Sequence, residues 1–162
     1  MVLDAPVGSS TWHFGLKKLC TLAKQGQMYA QVILGEALCL GEHGVPVDVD
    51  LGLLYLSVAS RCVFGAAALG SVLADLGRLK EGLPFLKCGL WEDHCNFSIF
   101  TRLYITAACR RASQLARRRR PNKARKMLTS CKRLFKNRRA RMSAEDRTKC
   151  ETAIRESTTR LP

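Results

Sequence analysis

Residues 23–35 read Ala-Lys-Gln-Gly-Gln-Met-Tyr-Ala-Gln-Val-Ile-Leu-Gly, residues 41–48 read Gly-Glu-His-Gly-Val-Pro-Val-Asp, and residues 52–59 read Gly-Leu-Leu-Tyr-Leu-Ser-Val-Ala. Over 28–40 the residues Ala30, Leu34, Ala37 and Leu38 share one helical face, and Gly52, Tyr55, Leu56 and Ala59 share another. Between them the two glycines and the proline of 41–46 interrupt any helix. Asp48 is placed to cap the helix that follows. The spacing predicts a helix, a loop and a second helix running back along the first. Glycine and alanine at facing positions let two helix axes approach, and leucine and tyrosine fill the remaining space.

The pattern recurs. Ala30, Gln31, Leu34, Gly35 and Leu38 return 35 residues on as Gly65, Ala66, Leu69, Gly70 and Leu73. Gly52, Tyr55, Leu56 and Ala59 return 30 residues on as Gly82, Phe85, Leu86 and Gly89. The offsets differ because the second loop is shorter. One helix pair cannot cover its own apolar face, so neighbouring pairs must stack.

Ala23, Gly26, Ala30, Gln31, Leu34 and Gly35, then Gly41, Gly44, Val45, Asp48, Gly52, Tyr55, Leu56, Ala59 and Ser60, resemble the Sel-one-like branch of the tetratricopeptide helical repeats. The departures are Leu38 where tyrosine is usual, one extra residue between Gly41 and Gly44, and Leu56 for the second aromatic. The match is good over 23–60 and degraded over 61–90, about one and a half repeats. The resemblance implies a surface that holds a protein partner, with Tyr29, Gln31 and Glu36 on its first-helix face. Some relatives of this kind are disulfide-rich, with cysteine pairs at a regular interval that this chain lacks.

Outside this region further helices are expected. Ser9, Ser10 and Thr11 can cap a first helix that carries Trp12, Leu16, Leu19, Leu22 and Ala23 and ends at Gly26. A fourth covers 66–76. A fifth covers 79–88, where Pro84 requires a late start or a bend. A sixth, 95–117, carries Phe97, Phe100, Leu103, Tyr104, Ala107 and Ala108. Pro121 suits the first turn of a seventh, over 122–139, with Ala124, Met127, Leu128, Cys131, Leu134 and Phe135 on one face. Ser143 with Asp146 resembles a capping box that opens a last helix to 159, with a thin apolar face of Cys150, Ala153 and Ile154.

Charge is unevenly spread. Residues 1–109 hold 8 Lys/Arg and 9 Asp/Glu, whereas residues 110–162 hold 19 Lys/Arg and 4 Asp/Glu. Arg117, Arg118, Arg119, Arg120, Lys123, Arg125, Lys126, Lys132, Arg133, Lys136, Arg138, Arg139 and Arg141 form a dense basic stretch. Such a block needs an acidic partner or much solvent. RNA or DNA phosphates, an acidic protein face, anionic lipid or an import receptor would all satisfy it. Aromatic side chains for stacking on bases are missing from this third, because Phe135 lies on the apolar face. Nucleic acid would therefore be held by its phosphate backbone, with little sequence preference.

The eight cysteines are irregularly spaced, with no Cys-x-x-Cys. No basic start followed by an apolar run opens the chain, so an intracellular setting, cytoplasmic or nuclear with an organelle also open, and reduced thiols are expected. Cys88, His94 and Cys95 are too few for a zinc site. The histidines are His13, His43 and His94, no Cys–His nucleophile pair has a local signature, and residues 41–44 lack the Lys-Ser/Thr of a phosphate loop. From 49 to 74 the charges Asp50 and Arg61 divide the apolar run into pieces too short to span a membrane. The expectation is an all-α, non-enzymatic scaffold without cofactor: a short solenoid of antiparallel helix pairs over 1–110 and a basic helical extension over 111–162, part of a larger assembly. The alternative is a basic protein on RNA or DNA.

Overall fold

A computed structural model describes residues 5–90 and 97–160. Among the described residues every regular element is helical: α1 (Ser10–Lys24), α2 (Met28–Leu40), α3 (Val49–Ala59), α4 (Val63–Asp75), α5 (Leu79–Cys88), α6 (Phe97–Arg117), α7 (Pro121–Arg138) and α8 (Ala144–Thr159). Single 3-10 turns follow α2 at Glu42–Gly44 and α7 at Arg139–Arg141. The fold is all-α, and its main helix pairings are α1 with α2, α2 with α3, α5 with α6, and α6 with α7 and α8. Two compact units result, Met1–Val72 and Leu73–Pro162, with the division inside α4. The division expected near residue 110 falls inside α6, one continuous helix with partners along its whole length.

In the N-terminal unit, Ser9 caps α1 by accepting from the Trp12 N–H at 3.2 Å. The Trp12 indole donates to the His43 carbonyl at 2.8 Å and so ties α1 to the loop after α2. The Asp48 carboxylate caps α3 by accepting from Leu51 N–H at 3.0 Å. α2 and α3 run antiparallel, and their closest approach is at two glycines. A Cβ on Gly52 would lie 2.8 Å from the Gly35 carbonyl oxygen and 3.0 Å from Cys39 N, both backbone atoms that cannot yield. α1 and α2 enclose Trp12, Leu19, Ala23, Ala30, Leu34 and Ala37.

α4 begins three residues before the expected start at 66. The cue is unusual: the Cys62 sulfur accepts from Gly65 N–H at 3.3 Å, the place a serine oxygen ordinarily takes. Gly65 itself is required, because a Cβ there would collide with the Ala59 carbonyl. Helix α5 starts at Leu79 and carries Pro84 inside it, so it does not begin late.

The C-terminal unit is organised around α6. α5, α7 and α8 all pack on it. α7 returns antiparallel, and α8 runs parallel to α6, with Ser98 against Asp146 at one end and Ser113 against Ser157 at the other. Ile105, Ala108, Cys109 and Ala112 of α6 meet Ala124, Leu128 and Cys131 of α7 and Cys150 of α8 in one buried core. The thin apolar face of α8 is supplemented by polar clasps. Ser143 accepts from Asp146 N–H at 3.1 Å and donates to its carboxylate at 2.9 Å. Ser98 donates to the same carboxylate at 2.6 Å, and Arg102 Nε lies 2.6 Å from it. Burial alone would raise the Asp146 pKa, but the Ser98 and Ser143 hydroxyls and the Arg102 guanidinium outweigh it and hold the carboxyl below its usual range.

Candidate docking groove and basic face

α5 and α7 lie on the same helix without closing over it, and the space between them is a groove of two adjoining cavities, about 650 and 830 Å³. Lys87 and Tyr104 line both. The floor is apolar: Leu83, Leu115 and Met127 under one cavity, Leu90 and Leu134 under the other. Tyr104 is half-buried between them, and its phenol is kept neutral by burial and, less strongly, by the nearby Cys131. The walls are basic. Lys80 and Lys87 come from α5, Arg118 and Arg120 from the turn after α6, and Lys123 and Arg133 from α7. Among the described residues no acidic side chain lines either cavity.

No Asp or Glu occurs in the sequence between Asp93 and Glu145. Of the basic residues singled out from the sequence, Arg117, Arg118, Arg119, Arg120, Lys123, Arg125, Lys126, Lys132, Arg133, Lys136 and Arg139 are all exposed. Among the described residues, no ion pair involves residues 117–120, Lys123, Lys126, Lys132, Arg133 or Lys136. Arg139 pairs with Glu151 at 3.5 Å. Arg138 is a correction to the expected surface set. It is half-buried, and its guanidinium donates to the Leu90 carbonyl at 2.6 Å and to Thr101 Oγ1 at 3.5 Å. It is a strut that fixes the end of α7 to the start of α6.

Arg119 stands out within the run. It has φ 55°, the left-handed region. The hydrogen bonds Arg119 N–H to Ala116 O and Arg120 N–H to Leu115 O form a Schellman motif closing α6. α1 and α4 end in the same motif, but with Gly26 and Gly77 at the left-handed position. Arginine occupies that position after α6 at a strain of about 1 kcal/mol.

The residues expected to face a partner in the N-terminal unit divide. Tyr29 is 64% exposed and its ring packs against Phe64 at 5.4 Å. Glu36 is half-buried, and burial and then the Glu42 charge raise its pKa. Gln31 is only 7% exposed, and its amide donates to the Ala23 carbonyl at 3.2 Å. It joins α2 to α1 and is not available to a partner. Its side of α2, unlike that of Tyr29, is the one that packs on α1.

Lys80, Lys87 and Arg111 were not singled out from the sequence, and Tyr104 was read only as part of an apolar stripe, although all four line the groove. They lie on α5 and α6, outside the conspicuous basic run, and only the packing of α5 on α6 brings them opposite α7.

His13 stacks edge-on against Trp12, with ring centroids 5.0 Å apart, and His43 occupies the turn after α2 with φ 55°. Cys88 is exposed, while His94 and Cys95 lie outside the described residues. Among the described residues no three His, Cys, Asp or Glu side chains are grouped to hold a metal, and all cysteines are free thiols. Cys109 and Cys150 are buried; a hydrogen bond with Cys131 and then burial raise the pKa of the first, and burial pushes the second to about 12. Among the described residues no helix is long and apolar enough to cross a membrane. No family model matches the chain, nor does any curated protein or solved structure.

Proposed function

We propose that this chain is a non-enzymatic interaction module whose C-terminal unit docks onto an acidic partner as one component of a larger assembly. One observation carries the reading: residues 117–120, Lys123, Lys126, Lys132, Arg133 and Lys136 are exposed and, among the described residues, in no ion pair, in a stretch of sequence from which acidic residues are absent. Mutual repulsion among them opposes folding unless an anion is close. The strained Arg119 points the same way, because a glycine there would relieve the turn and only the charge would be lost. In the N-terminal unit the exposed Tyr29 and Phe64 rings are candidates for a second protein contact.

A second reading, binding of RNA or DNA through phosphates, draws on the four consecutive exposed arginines 117–120. It predicts little sequence preference, since among the described residues the exposed aromatic rings Phe14, Tyr29 and Phe64 all belong to the N-terminal unit. Affinity capture from cell extract at low and high salt, with and without nuclease, separates the two. A protein partner retained through nuclease and weakened by salt supports the acidic-partner reading. Loss of all partners on nuclease treatment replaces it with the nucleic-acid reading.

A further inference from the structure

We infer that the groove between α5 and α7 receives an amphipathic helix of the partner, with acidic residues along its flanks and an apolar stripe set into the floor. The inference rests on the acidic-partner reading above and adds the chemistry of the occupant. Three features of the groove select it. First, floor and walls are chemically distinct: Leu83, Tyr104, Met127 and Leu134 below, Lys80 and Lys87 on one side, Arg118, Lys123 and Arg133 on the other. A helix with one apolar stripe between two acidic margins repeats that order. Second, no acidic side chain lines the groove among the described residues, so both margins of the incoming helix meet only cations. Third, the length fits. The groove follows α7 from Lys123 to Asn137, about 21 Å at 1.5 Å per residue, which is about four helical turns.

A phosphate backbone matches the walls and leaves the floor uncovered. The half-buried side chains Leu83, Tyr104, Met127 and Leu134 under a polyanion would remain wet, and their burial is worth about 25 cal/mol for each Å² removed from water only if something apolar covers them.

The test uses the full chain and three labelled probes followed by fluorescence anisotropy. The first probe is a stapled leucine–glutamate peptide of about four turns with its leucines on one face. The second is a scrambled peptide of identical composition and charge. The third is single-stranded polyuridylate. The stapled amphipathic peptide is expected to bind at least about tenfold more tightly than the scrambled one. Lys87→Glu with Arg133→Glu, both exposed wall positions, should abolish that binding. Met127→Gln should weaken the amphipathic peptide and leave the scrambled one unchanged. Equal, salt-sensitive binding of the two peptides overturns the helix and leaves the acidic-partner reading standing. Binding of neither peptide overturns both. Tighter binding of polyuridylate, lost in the same double variant, overturns both and assigns the groove to nucleic acid.

Discussion

Arg119 is a residue whose backbone and side chain have opposing requirements. Its φ of 55° belongs to glycine, as the equivalent turns at Gly26 and Gly77 illustrate, yet its side chain extends an arginine run. Arg119→Gly should stabilise the chain by about 0.5–1 kcal/mol in urea denaturation while weakening capture of an acidic partner. Asp146 is the opposite case, a charged group on which stability depends. Its folded pKa is depressed, so its contribution is complete at neutral pH and is lost as pH falls through the folded value. Asp146→Asn leaves Arg102 beside an uncharged group and should lower stability by about 3 kcal/mol at pH 7. The difference from wild type should close below about pH 4, as the unfolded and then the folded carboxyl take up protons. A difference that persists unchanged at pH 3 would remove the carboxylate from the account. Both residues were visible in the sequence, Asp146 in half of the expected capping box: its N–H donates to Ser143 Oγ, whereas the Ser143 N–H donates to Ser98 Oγ and not to the Asp146 carboxylate. Arg119 was read only as charge, because nothing in a row of four arginines marks which one turns left-handed.

At the scale of the element, α7 shows how charge and packing share one helix. Ala124, Leu128 and Cys131 are buried, while Lys123, Lys126, Lys132 and Lys136 are exposed. Its period of 3.6 was legible because the apolar residues recur on one face and most of the basic residues on the other, with Arg138 the exception. Lys132 and Lys136 are one turn apart and repel. Lys132→Glu replaces that repulsion with attraction and should stabilise the chain by about 0.5–1 kcal/mol at low salt, less at high salt. An unchanged or lower stability would mean that the cations are already neutralised, and the argument from unbalanced charge would fail. The start of α4 was harder to read, because a thiol performs the capping that sequence rules assign to oxygen. α8 was expected to have a weak hold, since its apolar residues are few. Its clasps to Ser98, Arg102 and Ser113 come from α6, more than 40 positions earlier, and no local pattern reveals them.

At the scale of the molecule, the helices and most of their boundaries followed from periodicity, caps and turn residues, which are local. The arrangement of α6 against three partners did not, because it depends on contacts distant in sequence. That is also why the basic stretch was foreseen and the groove was not: the wall on α7 is a run of like charge, whereas Lys80, Lys87 and Tyr104 are scattered along α5 and α6. Gln31 illustrates the reverse error, a polar residue on a helix mistaken for surface when its amide has a buried carbonyl to satisfy. The central claim is that unneutralised cations of the C-terminal unit hold the partner. Its most direct test compares capture from cell extract, after nuclease, by the wild type and by a variant with Arg118, Lys123, Lys126, Arg133 and Lys136 changed to Gln. Helix content by circular dichroism is measured in parallel. The account predicts an equally helical variant that has lost its protein partners; an equally helical variant that retains them would contradict it.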